Sequence, residues 1–243
     1  MLFIFRKLRR SFFQPGKVRT YVAYAAGEIV LIVVGILLAL QISEWNEERK
    51  IRTQEQAVLE ALVNELGSNV ALIQTDLEQN RSFSEATWRW IRGNDAQLSG
   101  LEKMRLIYDV ADYRTPEIST ATMDGILGSE GDQILDDPDF LQTLRDLKNA
   151  YMDMEKHERQ MIEFFWANIG EFFSQNDLGD TFLQLIPDNR AQFTTVDEAF
   201  LKLYEDPNYK SRVSMLETVR GGVISKEEEG LNGTLEVLSL IQE

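Results

Sequence analysis

Residues Val22 to Ile42, VAYAAGEIVLIVVGILLALQI, form an apolar run of 21 residues interrupted by one charge, Glu28. As an α-helix rising about 1.5 Å per residue, the run spans roughly 31 Å, the thickness of a bilayer's hydrocarbon core. Tyr21, Tyr24 and Trp45 flank it, as interfacial aromatic residues do. The run reads as a transmembrane helix, which makes the lipid bilayer the first expected partner.

Charge sets the expected topology. Residues 1–20 carry Arg6, Lys7, Arg9, Arg10, Lys17 and Arg19 and no acid. The positive-inside rule puts that flank in the cytoplasm and the remainder of the chain outside, which is the periplasm in a Gram-negative cell. The expected organisation is a basic cytoplasmic tail at 1–20, a span at 21–43 and an acidic helical extracytoplasmic domain at 44–243. Of the chain's 25 basic and 40 acidic residues, six and one precede Glu44. Residues 44–243 therefore hold 19 and 39, a net charge of −20. Such a surface repels nucleic acid, whose binding rests on Lys and Arg neutralising phosphates. There is no cysteine, so disulfides, thiolate metal sites and a cysteine nucleophile are excluded. That usage also suits an oxidising compartment.

A cleaved signal peptide is the competing reading, and Arg9-Arg10-Ser11-Phe12-Phe13 resembles a twin-arginine signal. The apolar run exceeds the length of a signal h-region, and Ala39-Leu40-Gln41 offers no small-x-small cleavage site, so we read a retained anchor. Residues 1–14 mix Leu2, Phe3, Phe5, Leu8, Phe12 and Phe13 with four basic side chains before Pro15-Gly16. Two readings stay open for them: a segment lying along the inner leaflet, or a plain basic flank with apolar filler.

The stretch from Tyr24 to Lys50, YAAGEIVLIVVGILLALQISEWNEERK, resembles the signature of an uncharacterised family of single-span bacterial membrane proteins, a domain of unknown function. Its marks are a Tyr-Ala-x-Gly-Glu-Ile entry to the span and an exit through Leu40-Gln41-Ile42 followed by Trp45-Asn46-Glu47. Ser43-Glu44 departs from the asparagine pair often found before that tryptophan. A second stretch, TATMDGILGSEGDQILDDPDFLQTLRDLKNAY, is similar to a looser block of the same family: a short helix, a glycine turn and an aspartate-started helix. The resemblance implies membrane anchoring and a helical outer domain, and no activity.

Glu28 lies seven residues beyond Tyr21, roughly 10 Å along the helix. A carboxylate at the bilayer centre costs about 2.5–3.5 kcal/mol, and less towards the edge. Three fates are open: contact with headgroups or with Lys17 and Arg19, carriage as the neutral acid, or a hydrogen bond to a partner helix. Ala23, Gly27, Gly35 and Ala39 recur at multiples of four and read as one helical face, with Glu28 on its border. Small-xxx-small pairs let helix backbones approach closely, so association through this face is expected, with a copy of the chain or with another membrane protein.

Beyond the span, Leu59, Leu62, Leu66, Val70, Ile73 and Leu77 recur at helical steps, which carries the helix to about Asn80 or Trp90, where Gly93-Asn94-Asp95 ends it. A shorter helix is expected over Leu101–Ala111, a new segment from Thr115-Pro116, and turns around Gly125, Gly128 and Gly131. Asp137-Pro138 starts a helix that presents Leu144, Leu147, Tyr151, Met154, Met161, Phe165, Ile169 and Phe172 on one face. Leu178 to Gln192 reads as loop, and Thr195 to Glu198 as a capping box. Asp206-Pro207 opens a last helix towards Gln242. No stretch alternates like a strand. The expected fold class is all-α: one N-terminal transmembrane helix continuing into a periplasmic antiparallel helical bundle.

Catalytic chemistry is not expected. The one histidine, His157, has no persuasive serine partner, and Leu127-Gly128-Ser129-Glu130-Gly131 lacks the first glycine of a nucleophile elbow. One histidine also forbids a di-iron bundle site. Asp132, Asp136, Asp137 and Asp139 do not have calcium-loop spacing and read as caps and solvated loop. Trp88, Trp90, Phe164, Phe165, Trp166, Phe172 and Phe173 read as core, with a ligand pocket between helices as the alternative. No cofactor, metal or enzymatic activity is expected. The leading reading is a scaffold or accessory subunit acting through protein partners. The runner-up is a small-molecule sensor that signals through a second membrane protein.

Overall fold

The structure, a computed structural model, describes residues 15–93, 97–128, 135, 137–176, 178 and 198–242, with the backbone alone at 15–20, 23, 199 and 200. The basic residues Arg6, Lys7, Arg9 and Arg10, the acids Asp132 and Asp136, and the proposed cap Thr195 to Asp197 lie outside the described residues. The described residues are all-α, without a strand among them. The chain divides into two compact units, Met1–Gln56 and Ala57–Glu243.

In the first unit the described residues belong to helix α1, Pro15–Ile91, which continues into the second. Among the described residues this is the one helix long and apolar enough to cross a membrane. Its large aliphatic side chains between Val22 and Ile42 are 47–75% exposed.

The second unit is a bundle built on the C-terminal half of α1. Gly93, at φ +68°, adopts the left-handed conformation that ends α1, and its N–H donates to the Trp90 carbonyl at 3.1 Å. Helix α2 (Gly100–Ala111) opens with a capping box of Ser99 and Glu102. Residues 112–120 form a segment without regular secondary structure, stretched out between Arg114 and Ser119, and α3 (Ala121–Ile126) follows. Helix α4 (Pro138–Phe165) begins as read from Asp137-Pro138: the Asp137 carboxylate accepts from the amides of Asp139 and Phe140. The helix then widens into a π-helical turn at Trp166–Gly170 and continues as α5 (Glu171–Gln175). Helix α6 (Glu198–Glu205) precedes α7 (Pro207–Gln242), where Asp206 caps in the same way, accepting from Asn208 and Tyr209. Both Asp-Pro pairs thus do the same local job.

Helix α7 runs antiparallel to α1 and α4. Trp90 meets Tyr209 while Asn80 meets Glu227, and Asn168 meets Arg212 while Tyr151 meets Thr234. Helices α1 and α4 run in the same direction, because the extended segment 112–120 first carries the chain back along α1. Two asparagines on α1 hold this segment by its main chain. Asn80 accepts from the Arg114 amide at 3.0 Å and donates to its carbonyl at 2.9 Å. Asn69 does the same for Ser119, at 3.0 and 2.7 Å. The spacings agree: eleven helical residues rise about 16.5 Å, and five extended residues cover about the same length. Glu65 completes the fastening by accepting from Ser119 Oγ and from the Thr122 and Met123 amides, which caps α3 from a neighbouring helix.

Two apolar clusters fill the bundle. One gathers Leu62, Leu66 and Ile73 of α1 with Leu144, Leu147, Tyr151 and Met154 of α4 and Val237 of α7. The other gathers Trp90, α2, the end of α4 with its π-helical turn and α5, and Tyr209 to Val223 of α7. The apolar stripe read from α4 is buried throughout. Among the aromatic residues, Trp90, Phe165, Phe172 and Phe173 are core, whereas Trp88 and Trp166 are exposed.

Asn69→Ala removes both part-buried bonds to Ser119 and leaves that residue's amide and carbonyl without their partner on α1. The expected loss of stability is about 1–3 kcal/mol in urea unfolding. Hydrogen exchange at the Ser119 amide should accelerate beyond what the global loss explains.

Candidate functional site

Between the two apolar clusters the bundle's inward positions turn polar. On α1 they are Asp76, Asn80, Ser84 and Thr87, on α4 Glu158, and on α7 Glu217, Arg220 and Glu227. These side chains form two groups with different character.

The first group is a buried ion pair with most of its polar atoms bonded, Arg220 Nε being without a partner. Arg220, fully buried, donates to Glu217 at 2.6 Å, to the Thr87 hydroxyl at 3.0 Å, and to the carbonyls of Val110 and Asp112 at 2.9 Å each. Ser84 donates to the other Glu217 oxygen. The guanidinium thereby ties the end of α2 to α1 and α7. Burial lowers the Arg220 pKa, and Glu217 opposes that shift.

The second group is three carboxylates from three helices: Asp76, Glu158 and Glu227. Glu158 is 6% exposed and Glu227 is completely buried. Asn80 donates to Glu227 Oε1 at 2.8 Å with the same amide nitrogen that reaches the Arg114 carbonyl. Glu227 Oε2 and Glu158 Oε1 have no hydrogen-bond partner. Burial pushes Glu158 up to about 7, reinforced by the charges of Asp76 and Glu155. Burial pushes Glu227 up to about 8; Glu158 and Asp76 add to the rise, while Asn80 and Arg81 oppose it. Burial also raises Asp76, against the pull of Arg114. Two carboxyls in the middle of the bundle thus change charge near neutral pH.

Glu158 also lines a cavity of about 390 Å³ whose walls include Pro116, Ile118, Tyr151, Met152 and Met154. Lys148 and Glu155 lie in the same wall; Lys148 pairs with Asp124 at 2.7 Å, and Glu155 with Arg159 at 2.6 Å. Among the described residues no group of three His, Cys, Asp or Glu side chains is arranged to hold a metal ion. His157, the neighbour of Glu158, is half-buried beside Gly222 and bonds its own helix through Nδ1 and the Asp153 carbonyl at 2.8 Å.

The residues singled out from the sequence lie elsewhere. Gly27, Glu28, Gly35 and Ala39 are on the exposed part of α1, and a methyl group added at either glycine meets nothing within 4 Å. The side chains of Ala23, Lys17 and Arg19 are not among those described. A four-residue step advances about 40° around a helix of 3.6 residues per turn. Ala23-Gly27 and Gly35-Ala39 are therefore two separate close-approach patches on a winding ridge, not a single flat face. Sequence reading missed the carboxylate cluster, although its signal was present. Glu158 occupies the slot between Met154 and Met161 in the buried stripe of α4.

The raised carboxyls give a pH dependence whose sign is fixed. Between about pH 4.5 and 8 the folded chain holds protons that the unfolded chain has released, so stability falls as pH rises through that window. Glu227→Gln keeps the bond from Asn80 and removes one titration. It should raise Tm at pH 8.5 clearly more than at pH 5; an equal shift at both would contradict the assignment.

No curated protein matches the chain, and no solved structure does. The stretch of α1 that brings Asn69, Asp76 and Asn80 to the bundle is also where a relationship appears. Residues 28–87 match the model of a family of unknown function (DUF6090), in keeping with the resemblance to an uncharacterised family drawn from the same part of the sequence.

Proposed function

We propose that the chain is a single-span membrane protein whose acidic helical unit acts through protein partners, as a scaffold or accessory subunit. The carrying observation is the exposed apolar surface of α1. Its aliphatic side chains between Val22 and Ile42 face away from any protein core. Each is worth about 1.5–3 kcal/mol when removed from water, and lipid is the solvent that takes them all at once. The six basic residues before the run and the net acidity after it support an N-terminus in the cytoplasm and a helical domain in the periplasm, anchored in the inner membrane. The open surfaces at Gly27 and Gly35 suit a second helix, with Glu28 beside them to hydrogen-bond across the contact. No catalytic role is proposed.

A second reading has its own observation. A buried, under-satisfied carboxylate, Glu158, in the wall of a cavity suits a bundle that binds a small molecule and passes the signal to a partner in the membrane.

On cell fractionation the full chain should stay in the membrane pellet through an alkaline carbonate wash, and a reporter fused after Glu243 should be active only outside the cytoplasm. Release into the wash would refute the anchor, and a cytoplasmic reporter signal would refute the orientation. Gly35→Leu should lower crosslinking between membrane helices, and Glu28→Gln should weaken copurification of the partner in mild detergent.

A further inference from the structure

The second reading leaves the chemistry of the ligand open, and the cavity beside Glu158 narrows it. We infer that this cavity is a binding site for a small amphipathic organic cation, a protonated amine on an apolar body, with the Glu158 carboxylate as its counter-ion. The inference rests on the small-molecule reading and deepens it.

Three observations point to a cation with an apolar body. Glu158 is more than nine-tenths buried, has an oxygen without a partner, and forms part of the cavity wall. A buried carboxylate is costly, and an ammonium group in the cavity supplies the missing opposite charge. Of the groups around it, those that favour an incoming positive charge are Asp76 on α1, Glu155 on α4 and Glu227 on α7, while Arg81 on α1 and Arg114 on the segment 112–120 oppose it. The nearby cations are already engaged: Arg81 pairs with Glu228 at 2.6 Å, Arg114 with Asp112 at 3.6 Å, and Lys148 with Asp124. Finally, Pro116, Ile118, Tyr151, Met152 and Met154 give the wall an apolar, partly thioether side that fits an alkyl or aryl body, while Glu117, Thr120, Lys148 and Glu155 make up its polar side. A volume of about 390 Å³ lies at the small end of ligand pockets. A bare metal ion fits poorly, since no three-ligand group is formed among the described residues.

Protonation of Glu158 competes with the ligand. Burial and the neighbouring acids put its titration at about 7, so the cation should bind more tightly at pH 8 than at pH 6 and should displace a proton near neutrality.

The test is titration calorimetry on the full chain in lipid nanodiscs, with empty nanodiscs subtracted. The probes are hexylammonium, neutral hexanol and anionic hexanoate. Expected are saturable binding of hexylammonium, proton release measured across buffers of different ionisation heat, and an affinity at least about tenfold lower in Glu158→Gln. That variant resembles the protonated acid, and its fold is checked by circular dichroism. If it does not fold, Met152→Trp takes its place: filling the cavity from its exposed edge should abolish hexylammonium binding. Lack of saturable hexylammonium binding overturns the inference, as does undiminished binding in the folded variant used. Equal binding of hexanol or hexanoate at the same cavity overturns the cation assignment while leaving the small-molecule reading standing.

Discussion

Two asparagine side chains decide the path of this bundle. A chain that leaves one helix and starts another in the same direction must first travel back, and here it does so as nine residues without regular structure, 112–120. Extended backbone lying against a helix has unpaired amides and carbonyls, and burying them unpaired is costly. Asn69 and Asn80 offer one acceptor and one donor each, the pattern that a neighbouring strand would present, three helical turns apart. With that path fixed, α3 is capped by Glu65, α4 restarts beside the first turns of α1 in the bundle, and α7 can lie antiparallel to both.

The polar layer follows from the same architecture. Three helices bring charged side chains inward, with Glu217 and Arg220 among members of one apolar cluster and Asp76, Glu158 and Glu227 in the stretch between the two. At the arginine end, Arg220 meets one carboxylate, a hydroxyl and two carbonyls, and of its nitrogens Nε lacks a partner. The carboxylate end is under-satisfied, with like charges facing one another across three helices. A purely structural layer would gain by completing those bonds, and it is this imbalance that singles out the carboxylate end as the functional candidate.

Much of this was legible in the sequence. Hydrophobic spacing located α1, α4 and the all-helical class, and Asp-Pro pairs marked the starts of α4 and α7, because caps and periodicity are local properties. The parallel run of α1 and α4 was not legible, since it depends on side-chain-to-main-chain bonds between residues 34 and 50 positions apart. The carboxylate cluster lay half-visible. A stripe reading looks for apolar residues at helical steps and passes over the charged one among them, as at Glu158. On α7, Arg220, Glu227 and Thr234 recur every seven residues on the buried side, and the helix reads as weakly patterned although its inward face is continuous. The π-helical turn at Trp166–Gly170, where Gly170 lets the Trp166 ring lie within 3.0 Å of its missing Cβ, has no signature in spacing alone.

The asparagine clamps grip peptide groups, and peptide groups are the same whatever residue carries them. At Arg114 and Ser119 the clamp reads only N–H and C=O, so the route of the strap is encoded in the helix that holds it and hardly at all in the strap itself. Side chains along that strap are thereby left free for other work, and those of Pro116 and Ile118 are spent on the wall of the cavity.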